Sequence, residues 1–110
     1  MKAGDSLFDD KDMTVASKSE KRMMTMEDVS ECLEKDFGEE ISDSKKYLCM
    51  AKIADNAGDY HDCHYLTEMA KDEYTHAYFI HDFMKRHDIS IPEHLSKCYR
   101  ELEEEMAQFF

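Results

Sequence analysis

Between Thr25 and His87 the side chains that a folded chain would turn inward recur in alternating steps of four and three. In the first stretch they are Leu33, Phe37, Glu40, Ser44, Tyr47, Ala51, Ala54 and Gly58; in the second they are Leu66, Ala70, Glu73, Ala77, Ile80, Met84 and His87. Such steps keep residues on one face of an α-helix, whereas a strand would need a period of two. The rhythm predicts one helix over about 26–57 and a second over about 60–87. Thr25 and Asp28 can cap the first and acidify its opening turn, and Gly58 can stop it in a left-handed conformation. Asp59 is then placed to cap the second helix, which runs out in the basic "KRHD". A third helix is expected over about 91–108, with Ser90 and Glu93 as a capping box and Pro92 in its first turn. The fold class is therefore all-α, a helical hairpin plus a C-terminal helix over residues 25–110. Residues 1–24 carry no sustained period and read as a flexible or weakly docked leader.

Two of the inward positions are glutamates. A buried, unpaired carboxylate costs many kcal/mol, so Glu40 and Glu73 must be protonated, paired with a cation or bound to metal. Folding the hairpin at Gly58 sets Glu40, 18 residues before it, level with His76, 18 residues after it. At ~1.5 Å rise both stand about 27 Å from the turn. Glu73 precedes His76 by three residues and shares its helical face. Two carboxylates and an imidazole at one level suit iron, with manganese or zinc as substitutes. The competing reading pairs each glutamate with a lysine such as Lys46 or Lys71.

Composition narrows the company this chain can keep. A net charge of -12 in 110 residues disfavours nucleic acid and anionic membranes. Nothing approaches the ~20 apolar residues of a membrane span, which leads to a cytoplasmic expectation. Cys32, Cys49, Cys63 and Cys98 are scattered and read as reduced thiols; a zinc site of Cys63, His61 and His64 is the lesser alternative. His61, His64, His81, His87 and His94 read as surface histidines. Met50, Met69 and Met84 read as core filling, and "ELEEEM" as a solvated helix face rather than an iron-uptake patch.

The spacing E-x6-Y-x3-A-x2-A-x3-G, carried by Glu40, Tyr47, Ala51, Ala54 and Gly58, is followed by E-x-x-H at Glu73 and His76. This resembles the ferritin-like di-iron superfamily, and within it the first helix pair of rubrerythrin, over about residues 33–87. The resemblance implies Glu40 as a terminal ligand, Glu73 as a bridging one and His76 as a terminal nitrogen donor. It also sets Tyr47 near the metal, although a core tyrosine bonded through its hydroxyl fits the residue equally. The second ligand-bearing helix pair and the paired C-x-x-C motifs of a full rubrerythrin do not occur here. A homodimer or larger assembly is therefore expected to complete a four-helix bundle, with Glu40, Glu73 and His76 from each chain. Encapsulated ferritins are similar in this logic, but "EEEMAQFF" shows no clear cargo tail for an encapsulin shell. The activity implied is oxidation of ferrous iron by dioxygen or hydrogen peroxide, or peroxide reduction with a separate electron donor. The reading from a different class is a non-catalytic acidic helical interaction module.

Overall fold

The computed structural model describes residues 24–109. They form three helices, α1 (Met26–Asn56), α2 (Tyr60–Arg86) and α3 (Glu93–Phe109). The leader expected at 1–24 lies outside the described residues apart from Met24, which is exposed.

Local chemistry sets the helix ends. The Asp28 amide donates to Thr25 Oγ1 at 3.0 Å and the Thr25 amide donates to Asp28 Oδ2 at 3.1 Å, a reciprocal capping box. Gly58 takes φ +77°, a conformation any Cβ would strain, and the Asp59 amide returns to the Ala54 carbonyl at 2.9 Å. Asp59 then accepts the Asp62 amide at 3.0 Å and opens α2. At the far end the same left-handed device is supplied by a residue without glycine's freedom. Asp88 has φ 56°, and the Ile89 amide reaches the Met84 carbonyl at 2.8 Å.

α3 departs from expectation at its start. Its first turn hangs from the Pro92 carbonyl, which accepts the Leu95 amide at 3.1 Å and the Ser96 amide at 3.0 Å. The expected Ser90 and Glu93 box does not form, and Pro92 precedes the helix instead of lying in its first turn. The reason is local, because proline drives the residue before it out of the helical region and so delays the start.

α1 and α2 pack as an antiparallel hairpin over a seam of Phe37, Ile41, Ser44, Leu48 and Ala51 against Ala70, Ala77 and Met84. Ser44 is fully buried and donates to the Ala70 carbonyl at 2.8 Å, so the hydroxyl is satisfied and the register is tied. The dry seam of α1 thus runs through Ile41 and Leu48, one residue beyond Glu40 and Tyr47, which are half-buried on its rim. α3 covers only one flank of the hairpin. Its Tyr99 ring packs 5.4 Å from Phe37 and stacks on His81 at 4.5 Å and on Tyr74 at 6.1 Å; Leu95 approaches Gly38, and Lys45 pairs with Glu101 at 3.3 Å.

Among the described residues nothing covers the other flank. Met50 and Met69, expected in the core, stand 44% and 40% exposed, and Phe83 38%. Only Met84 of the three methionines is buried. The described residues span 57 × 30 × 17 Å, between two and three helices wide and about one and a half deep.

Candidate metal centre

Glu40 leaves α1, and Glu73 and His76 leave α2, on the flank opposite α3. His76 Nδ1 lies 3.3 Å from Glu40 Oε1 and 3.5 Å from Glu73 Oε1. One ligand atom from each of the three residues falls within 4.8 Å of the others. The level predicted by counting from Gly58 is therefore the level at which the side chains meet. Both carboxylates are 26% exposed and the imidazole 56%, so the cluster opens to solvent on one side.

The electrostatics favour a cation. Burial first, and then the adjacent Glu73, push the Glu40 carboxyl up to about 7 against the lowering pull of His76. The lysines that offered another explanation are engaged elsewhere: Lys46 lies 3.8 Å from Asp43 and Lys71 lies 3.7 Å from Glu68. Two crowded carboxylates with a neutral-range proton, plus an imidazole nitrogen, form a donor set that fits a hard or borderline divalent ion.

Tyr47 is not among the three. It is half-buried, packs against the core, and carries the Lys46 ammonium 4.9 Å above its ring. The zinc alternative finds no cluster: among the described residues His61 is exposed and lies against Asp62 at 3.3 Å, while Cys63 faces Thr67 at 4.0 Å. All four cysteines are free.

His81 corrects a second expectation. It is half-buried between Phe37 and Tyr99, and burial lowers its affinity for a proton. Burial also raises the Tyr99 and Tyr74 phenols, and the Tyr74 hydroxyl donates to Glu103 at 3.5 Å. Sequence spacing alone could not separate His81 from the surface histidines, because its partner Tyr99 comes from α3, whose rotation on the hairpin the period does not fix.

The Rubrerythrin family model matches residues 31–107, which include Glu40, Glu73 and His76. No curated protein and no solved structure matches. No helix among the described residues is long and apolar enough to cross a membrane.

Proposed function

Because the chain belongs to the rubrerythrin family, we propose that Glu40, Glu73 and His76 hold iron at a di-iron centre shared between two copies. The observation that carries this is the meeting of two carboxylate oxygens and one imidazole nitrogen within 4.8 Å on the uncovered flank of the hairpin. Three ligands cannot satisfy two metal ions. A second copy facing the first doubles the set to four carboxylates and two imidazoles.

Glu40 and His76 would serve as terminal ligands and Glu73 as the shared one. Iron held by these residues would supply one-electron redox chemistry towards dioxygen or hydrogen peroxide. The chain's own part is to set the ligands and to release the proton from Glu40 as a cation arrives. A cytoplasmic setting agrees with the four free thiols.

Anaerobic loading with ferrous iron followed by air tests the reading. About one iron per chain is expected, together with an oxygen-dependent optical band. Glu73→Ala should weaken iron binding by at least about tenfold, the lower end of losses seen even for residues behind the ligands. Unchanged binding in that variant would reject the assignment.

A further inference from the structure

Rings from all three helices meet at one place, on the flank away from the candidate metal centre. Phe37 of α1 stands 5.9 Å from His81 of α2 and 5.4 Å from Tyr99 of α3, and His81 and Tyr99 stand 4.5 Å apart, ring centre to ring centre. The His81 and Tyr99 planes differ by only 15°, so the imidazole lies flat against the phenol. Tyr99 is buried in the row that α3 turns inward, followed by Leu102 and Met106. Its stacking on His81 and Tyr74, together with the Tyr74 bond to Glu103, ties α3 to α2.

Of these three rings only the imidazole gains a charge near neutral pH. It is half-buried, and among the described residues no hydrogen bond holds either of its nitrogens. The ring lines a cleft of about 360 Å³ with Lys85, Asp88, Ile89, Ser90 and Ser96, which gives protons a way in. Three of these residues belong to the link 87–92 between α2 and α3, where Asp88 is held at φ 56°.

The charges around the ring come from two helices. Burial is the strongest influence against a proton on His81, and Lys85 of α2 adds to it; Glu103 of α3 and Asp82 of α2 pull the other way, and α1 presents the uncharged Phe37. The balance disfavours the charged ring while α3 is docked. Moving α3 away returns water to the imidazole and removes the largest part of that penalty. α3 is also the element that can leave at least cost. The seam of α1 and α2, with Ser44 bonded to the Ala70 carbonyl, closes without it, and elements so placed open locally before the whole chain unfolds.

We propose that the Phe37–His81–Tyr99 stack is an acid-sensitive latch: a proton on His81 releases α3 from the hairpin about the link 87–92 while α1 and α2 stay paired. The device concerns the flank opposite Glu40, Glu73 and His76 and stands independently of the iron reading.

Hydrogen exchange read peptide by peptide on the chelated chain tests the latch, with rates corrected for the intrinsic effect of pH. Between about pH 7.5 and about pH 5.5, on either side of the ordinary imidazole value, α3 amides should lose protection severalfold, while those around Ser44 and Ala70 keep theirs. Unchanged protection in α3 would overturn the proposal, and so would an equal loss in all three helices, which is global unfolding. His81→Phe keeps a ring against Tyr99 but takes no proton, so the loss should vanish in it. A loss that persists in H81F belongs to another group, such as exposed His94 in the first turn of α3, where a positive charge opposes the helix dipole; the latch is then rejected. If that variant does not fold, NMR titration of the native chain decides. The His81 ring signal should move below the ordinary 6.5, in step with signals from α3. A midpoint at or above that value, or α3 signals that change at a different pH, would refute the mechanism.

Discussion

At the residue scale, the Glu40 carboxyl sets the behaviour of the centre. Its proton is held up to about 7, so below that pH a metal ion must displace it. Ferrous-iron uptake should therefore weaken between pH 8 and pH 6, with proton release on loading, both measurable by titration in weak buffer. The same group acts on the metal-free protein. A carboxyl whose folded value lies above its ordinary 4.5 contributes fully below that pH and loses its contribution as pH rises through about 7. Glu40→Gln should thus raise the melting temperature of the apoprotein at pH 8 while impairing iron uptake. His81 works in the opposite sense. Its proton affinity is lowered by burial, so its contribution is present above the ordinary 6.5 and is lost as pH falls. His81→Phe, which keeps a ring against Tyr99, should flatten the loss of melting temperature on acidification relative to the native chain.

At the scale of elements, the two long helices were written in the four-three rhythm, and their caps in Thr25, Gly58 and Asp59. The rhythm did not resolve a shift of one residue. Phe37, Ser44 and Ala51 belong to both the expected stripe and the observed seam, whereas Ile41 and Leu48 displace Glu40 and Tyr47 to its rim. That shift matters chemically, because a rim carboxylate can meet an ion supplied from solvent. Met50 and Met69 looked like core residues because a helix pattern cannot show which of its flanks a third helix leaves bare. Ser44→Ala would remove the hydroxyl's bond to the Ala70 backbone carbonyl and should cost about 0.5–1.5 kcal/mol in a denaturant titration. Leu48→Ala, fully buried, should cost about 2–5 kcal/mol. Asp88→Gly should stabilise by about 1 kcal/mol, since the residue is held at φ 56° where glycine is unstrained.

At the scale of the whole molecule, iron and association are coupled through the proposed shared site. If ions bind only where two copies meet, iron tightens the dimer by mass action. Sedimentation at falling protein concentration should then show dissociation earlier after chelation than before it, and identical curves would argue against the coupling. Thickness has its own consequence. The described residues are 17 Å through, and among them no second layer shields the outer surfaces of the two long helices. Backbone amides along α1 and α2 should trade hydrogen for deuterium readily in a dilute, chelated sample and slow together once copies associate, with the residues flanking Glu40 and Glu73 slowing most.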